Sequence, residues 1–342
     1  MQGDMFPAIP AGESVVSQLP DLPRLPLGAR VQDPFLVLEV EQRESARGPF
    51  WTLTLGNATG RLPSAPVWSE QQEMVAGLTK GTVVQVIGEV TQFGGKRQLR
   101  LSSVRPIPRG AVEWDQLLPS IGDPAPWWAR LDEWRARIAK PRLRAVLDLF
   151  YEDPAFRTRY GACPGSTNGH HATLGGLLKH TVEIVLIGHA MARAARADAD
   201  LVTAGALLHD IGKLEAYRWE GVFETTEAGA LLGHVALGHR MLVERLATTD
   251  PRPCTEREQW MLEHFILSHH GKLEFGAAVP PMFVEAEILH YADDASAKTD
   301  SMNLALADPD NFADGAPVSA RGVWQLDRRK VWRGDSDWGA GD

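Results

Sequence analysis

Cysteine is almost absent: Cys163 and Cys254 are the only two in 342 residues. Two thiols build neither a disulfide framework nor a cysteine metal site. Long apolar runs are absent as well. No stretch approaches the roughly 20 uninterrupted apolar residues that span a bilayer, so no membrane partner is expected. The opening MQGDMFPAIPAGESVV lacks a basic start followed by an apolar run, which argues against a signal peptide. These absences together suit a reducing cytoplasm. Positive charge is also in deficit, at a net −9. That excludes a large electrostatic footprint on nucleic acid over the whole chain, although not a local one. From Arg30 to Arg109, ten Arg/Lys stand against seven Asp/Glu. Histidine is missing from the first 169 residues, and all 11 lie at or beyond position 170. Metal or acid–base chemistry therefore belongs to the second half.

The pattern along the chain indicates a multidomain protein of α and β type. Residues 1–30 are rich in Pro, Gly and Ser and read as a flexible arm. Residues 31–109 hold five candidate strands: Phe35–Arg43, Phe50–Gly56, Gly60–Trp68, Val83–Phe93 and Gln98–Ile107. VVQVIGEV and RQLRLSSV alternate as half-buried strands do. A short polar helix, about Ser69–Ala76, follows the third strand. That order is the order of a five-stranded OB-fold barrel, which often binds oligonucleotides. Another five-stranded barrel used only for packing is the plainer alternative. Residues 110–160 read as a helical linker in which Trp127, Trp128 and Trp134 are packing anchors. Residues 161–332 read as an all-α bundle, with YRWEGVFETT as a small hairpin or loop and Arg321–Trp332 as a last helix. Residues 333–342 form a tail.

The chemistry-bearing residues lie in the bundle. His209 and Asp210 are adjacent, His180 lies on an earlier helix and Asp293 on a later one. Four such ligands from three helices can converge in a bundle core. Imidazole and carboxylate donors without thiolates suit Mn²⁺, Fe²⁺, Co²⁺ or Mg²⁺. His234, His269 and His270 can hold a second ion, with Asp210 bridging the two, an arrangement suited to phosphoester hydrolysis. Lys213 follows Asp210 by about one helical turn and can neutralise developing phosphorane charge. Asp210 and Lys213 are thus the catalytic candidates. Gly212 permits close backbone approach, and Gly175-Gly176 permits tight packing beside His180. His189, His239 and His264 fall outside the set as surface or packing residues. His290 and Glu183 are candidates for orienting a ligand, and Asp294 points about 100° away from Asp293 on its helix.

The strings HHATLGGLLKHT, HDIGK, GHVALGH and SHHGKLEFGAAVPPMFVEAEILHYADDASAK closely resemble the YhaM-type 3′-to-5′ exoribonucleases, which join an OB-fold to an HD domain. GPFWTLTLGNATGRLPSAPVW and GTVVQVIGEVTQFGGKRQLRLSSVRPI resemble the barrel of that family. The resemblance spans about 33–332. It implies that His180, His209, Asp210 and Asp293 are the HD ligands, joined by His234 and one of His269 and His270. It places Lys213 near the substrate phosphate and matches His171 and Lys298 to family positions whose role is open. It implies an all-α HD bundle binding two divalent ions, Mn²⁺ ahead of Fe²⁺, Co²⁺ or Mg²⁺. The implied partner is single-stranded RNA, or DNA, cut from the 3′ end to nucleoside 5′-monophosphates. Besides His171, Lys213, His270 and Lys298, substrate contacts are expected from the barrel: Trp51 as a stacking platform and Lys96, Arg97 and Arg100 as a basic cluster. One departure stands out. PSAPVW puts two prolines in the third strand, which makes it an edge or a bulged strand.

Two rival functions remain at the level of sequence. An HD enzyme can act on nucleotides or cyclic dinucleotides, although HHGKLEF follows the histidine pair where cyclic-dinucleotide enzymes carry GYP. A single-stranded nucleic-acid adaptor with an inactive bundle is the other. Self-association into a homo-oligomer is left open.

Overall fold

The computed structural model describes residues 20–108, 113–308, 311–313 and 315–334. The first 19 residues of the expected arm and the tail beyond 334 lie outside the described residues.

The N-terminal third is an OB-like barrel. Its strands are β1 (Arg30–Ser45), β2 (Gly48–Asn57), β3 (Gly60–Pro63), β4 (Val67–Trp68), β5 (Val83–Phe93) and β6 (Lys96–Pro106). The sheet order is β3-β2-β1-β5-β6, with β4 also on β2. A parallel bridge between Ser64 and Leu99 brings the two ends of this order together. The 16-residue β1 serves two partners, β5 over its first half and β2 over its second, with a register shift between Val37 and Glu39. Alternating apolar residues, including Phe35, Val37, Leu53, Leu55, Val84, Val86 and Leu99, fill the interior.

Two sequence expectations change here. Six strands stand where five were expected, because the third is broken at Pro63–Pro66. Proline has no N–H to give to the ladder, so both halves remain short. Ser64 and Ala65 make good the gap: the Ser64 hydroxyl accepts from the Leu53 N–H at 2.9 Å, and the Ala65 N–H donates to the Leu99 carbonyl at 2.9 Å. The arm is also shorter than 1–30. Leu22 is wholly buried in the barrel core, and the Asn57 amide donates to the Pro20 carbonyl at 2.9 Å.

The helical body comprises α1 (Trp114–Leu117), α2 (Ala125–Arg137), α3 (Pro141–Tyr151), α4 (Pro154–Ala162), α5 (Gly176–Ala195), α6 (Ala199–Leu208), α7 (Lys213–Ala216), α8 (Glu227–Ala247), α9 (Glu256–Ser268) and α10 (Val284–Ala307). Strands β7 (Tyr217–Arg218) and β8 (Glu224–Thr225) form the small hairpin in YRWEGVFETT. Polar caps fix the helix starts. Asp198 caps α6, Thr226 caps α8, and Thr255 with Glu258 closes a capping box on α9. No described helix is long and apolar enough to cross a membrane.

Residues 110–160 are not a separate linker. Trp127, Leu131 and Trp134 of α2, with Phe150, Tyr151 and Tyr160, share one continuous core with Leu177, Leu207 and Phe265. The Tyr151 hydroxyl donates to the Leu207 carbonyl at 2.7 Å, which ties α3 to α6. Burying that much aromatic surface makes α2–α4 a structural wall of the bundle. Arg321–Trp332 is not a helix either. It is a single 3₁₀ turn, Trp324–Leu326, beside the bridges Val318↔Trp332 and Val323↔Arg329. Leu326 and Val331 bury against Ala305 of α10, which fixes the segment by packing rather than by a helical ladder. Barrel and body meet through Leu36 and Val83 against Leu117, Leu118 and Val222, with a Lys80–Glu224 ion pair at 3.5 Å.

Candidate metal centre

The sequence places the ligand candidates at helix ends and on helix faces that point inward. His180 lies on α5 and Asp293 on α10. The pairs His209-Asp210 and His269-His270 follow the last turns of α6 and α9. His234 follows Gly233, where α8 breaks with φ 73° and ψ 156°. That backbone region is open essentially to glycine alone. At Gly212 a Cβ would sit 2.0 Å from the His234 carbonyl oxygen, so only a residue without a side chain lets this turn touch α8.

The ligand atoms fall into two groups. His180, His209 and Asp293 offer atoms all within 4.8 Å of one another, and so do His234, His269 and His270. Asp210 lies between the groups. Its Oδ2 is 3.0 Å from His209 Nε2, 3.8 Å from His180 Nε2 and 2.5 Å from Lys213 Nζ. Its Oδ1 is 3.4 Å from His234 Nε2 and 3.7 Å from His269 Nε2. Asp293 Oδ1 lies 3.0 Å from His180 Nε2.

Hydrogen bonds at the far side of each ring set its orientation. His209 Nδ1 meets the Ala206 carbonyl at 2.8 Å, His269 Nδ1 the Ile266 carbonyl at 2.8 Å, and His270 Nδ1 the Phe275 carbonyl at 2.7 Å. A carbonyl can only accept, so Nδ1 carries the proton and Nε2 presents its lone pair to the centre. For His180 the partner is Ser296 Oγ, at 2.9 Å, and that hydroxyl donates onward to Glu183 at 2.7 Å. The Nε2 atoms of His180, His209 and His269 and both oxygens of Asp210 are buried without a well-directed hydrogen bond. Buried polar atoms in that state are rare and fit a cation as their missing partner.

The electrostatics point the same way. Burial, the dominant influence, pushes His180 down to about 4 and His234 to about 3, and holds His269 well below the usual imidazole range. Neutral imidazole is the form that ligates. Burial opposes charge on both aspartates, but it is outweighed. His209 and Lys213 hold Asp210, and His180 holds Asp293, below the usual carboxylate range. Lys213, also buried, is raised because the Asp210 charge overcomes its desolvation.

Some candidates lie elsewhere. His171 does not face a substrate path: its side chain is wholly buried behind His180, with Nε2 3.2 Å from Ser296 Oγ and from Glu183 Oε2. Its backbone N–H donates to Asp300 at 2.7 Å. Lys298 is engaged with Asp294 at 3.3 Å and Asp327 at 3.5 Å. His290 touches the centre through a ligand's backbone, its Nδ1 meeting the His269 carbonyl at 3.0 Å. His189 packs on Trp134, His239 pairs with Glu263, and His264 accepts from the Met282 N–H.

The barrel candidates are not brought to the centre. Trp51 packs half-buried against the barrel core. Arg97 donates to the Leu25 carbonyl, and Arg100 pairs with Glu89. Lys96 and Arg97 sit at the β5–β6 hairpin tip, opposite Phe93 and Gln92. Val83, at the other end of β5, is the residue that meets the helical body. Ten residues of strand put the tip about 30 Å from that junction. Ser296 and Asp300 escaped sequence reading altogether. Their spacing on α10, three and seven residues after Asp293, is the helical signal that marks them as its neighbours on one face.

A buried Asp flanked by imidazoles from four helices, with the Asp293 carboxylate from a fifth, defines an HD-type centre, and the HD-domain family model matches residues 177–298. Divalent-metal use follows from that domain. The likeness extends well beyond it. The 3′-5′ exoribonuclease YhaM of Bacillus subtilis is 30% identical over 286 residues, covering 82% of this chain and 88% of the relative. That of Bacillus licheniformis is 31% identical, covering 75% and 81%, and that of Oceanobacillus iheyensis 32% identical, covering 80% and 86%. The chain belongs to the YhaM 3′-5′ exoribonuclease family.

Proposed function

We propose that this protein is a metal-dependent 3′-to-5′ exoribonuclease that releases nucleoside 5′-monophosphates from single-stranded RNA, using two divalent ions with manganese foremost. The observation that carries this reading is Asp210, one carboxylate whose two oxygens face two separate imidazole groups. His180, His209 and Asp293 would hold one ion, His234, His269 and His270 the other, and Asp210 both. Ions bound there make water nucleophilic near neutral pH and offset charge on the phosphate.

The chain supplies the geometry. Helix carbonyls and Ser296 fix the ring orientations, so no donor reorganises during the reaction. Lys213 sets an ammonium 2.5 Å from Asp210, where negative charge grows as the phosphodiester is attacked. The relatives' activity, 3′-5′ exoribonuclease, fits a polymer substrate, and a barrel beside the bundle suits a single strand. Two free, buried cysteines suit a reducing cytoplasm.

The test uses 3′- and 5′-labelled single-stranded RNA and DNA with Mn²⁺ or with chelator. RNA should shorten from its 3′ end, release 5′-monophosphates and stop shortening with chelator. Internal cuts, 5′-end attack or indifference to chelator overturns the reading. An adaptor would bind RNA and leave its length unchanged. A nucleotide or cyclic-dinucleotide hydrolase would spare RNA and consume those compounds.

A further inference from the structure

A cavity of about 280 Å³ lies where the barrel meets the helical body. Its lining includes Arg61 of β3, Gly169 in the loop before α5, and Trp324 and Gln325 of the C-terminal turn. Arg61, Trp324 and Gln325 each present a group that the fold leaves uncommitted. Trp324 is 71% exposed, although Leu326 and Val331 of the same segment are buried. The turn is therefore anchored by its neighbours, and the largest side chain on it is spent on no core. The Arg328 guanidinium stands 4.9 Å from the Trp324 ring centroid and can occupy only one of its faces. Arg61 has no ion pair, and the Gln325 carboxamide no hydrogen bond, among the described residues.

The cavity adjoins the metal centre. Gln325 Cγ lies 3.2 Å from where a Cβ would stand on Gly169. The next residue, His170, has its ring 6.1 Å from that of His180. Arg61 pairs in register with Gly56, whose other neighbour, Leu36, belongs to the barrel–body junction. It is therefore at the near end of the barrel, unlike Lys96 and Arg97.

An open aromatic face, a free guanidinium and a free carboxamide match the three parts of one nucleotide: base face, phosphate and base edge. We propose that Arg61, Trp324 and Gln325 form a subsite for one nucleotide of the RNA upstream of the scissile bond. The proposal rests on the exoribonuclease reading and names where that substrate is gripped.

The test is equilibrium binding by the full-length, Mn²⁺-loaded chain. The probe is a 5′-labelled single-stranded RNA of about a dozen nucleotides, with one methylphosphonate at the 3′-terminal scissile linkage to prevent cleavage and all upstream phosphates left charged. Trp324→Ala should weaken binding about 5- to 100-fold, and Trp324→Phe by no more than about 3-fold, since either ring can stack. Arg61→Ala should flatten the salt dependence by about 0.7 in the log–log slope, one phosphate contact on a single strand. Thermal unfolding of each variant separates lost contact from lost fold. Wild-type affinity in Trp324→Ala, or equal losses in the Ala and Phe variants, overturns the subsite. Cleavage of unmodified RNA by the wild type is scored separately. Cleavage without a Trp324 effect removes the subsite alone. A Trp324 effect without cleavage keeps the subsite and removes the exoribonuclease.

Discussion

The two ligand groups differ in donors, two imidazoles and a carboxylate in one and three imidazoles in the other, and they are held in different ways. His180 and Asp293 stand on long helices, His209 follows the end of α6, and the ring of His180 is backed by Ser296, Glu183 and the buried His171. Asp300 and Lys179 close that layer with an ion pair at 3.1 Å. His234 depends on a break in α8, and His270 on a bond to the carbonyl of Phe275, a residue 59% exposed. The first group is therefore backed by a hydrogen-bonded side-chain shell, while two rings of the second, His234 and His270, depend on backbone turns. Shells of that kind raise metal affinity, so the first group should keep its ion when the second exchanges.

The largest effect should come from removing what the groups share. Asp210→Ala is expected to lower RNA hydrolysis by roughly a thousandfold or more and to release metal from both groups. Elemental analysis and a cleavage assay on one sample check this; full activity in metal-stripped Asp210→Ala would refute the assignment. His234→Ala comes next, and should split the groups. It should cost about one ion per chain and roughly a hundredfold in rate while the first group stays loaded. If wild type and variant both carry a single ion, the second group does not bind metal.

Ser296→Ala sharpens the comparison from the other side. Among the described residues its hydroxyl is the only hydrogen-bond partner of His180 Nδ1, so the first group should lose about 10- to 100-fold in metal affinity. Competition with a fluorescent chelator measures this, and an unchanged affinity would mean that the hydroxyl does not orient the ring. Gly233→Ala should be the mildest. Its φ of 73° with ψ 156° costs a residue with a Cβ about 1–3 kcal/mol. Denaturant unfolding should register that loss, with the second ion weakened and the first untouched. Equal weakening of both ions would show that the groups are mechanically one.

What could be read from the sequence divides along similar physical lines. Donor types announce themselves: a His-Asp pair with distant His and Asp partners has few other uses, and the structure brings His180, His209, Asp210, Asp293, His234, His269 and His270 to one place. Strand alternation made the barrel legible, and proline chemistry foretold trouble in PSAPVW. The layer behind the ligands was not legible, because one serine hydroxyl on a helix carries no signature until its neighbours are known. Nor does a count of charges say which end of a barrel faces its partner. Lys96, Arg97 and Arg100 form a basic cluster in sequence, yet they lie at the end of the strands far from the junction. Arg321–Trp332 misled for a third reason: its apolar spacing imitates a helix, while two bridges and a buried Leu326 decide its path. The aromatic α2–α4 looked like a connector because a chain does not reveal which core its tryptophans will enter.

The contact at Gly212 has a genetic corollary. This residue offers no side chain to chemistry, yet a methyl group there would meet the His234 carbonyl at 2.0 Å and the Gly238 nitrogen at 2.3 Å. Any replacement must push α8 away from the turn that carries Asp210, and His234 travels with it. A random screen for inactive chains should therefore recover Gly212 as often as it recovers a ligand. The spectrum of hits should be the reverse of that at a ligand, where one conservative exchange can sometimes survive: at Gly212 every codon but those for glycine should score as null.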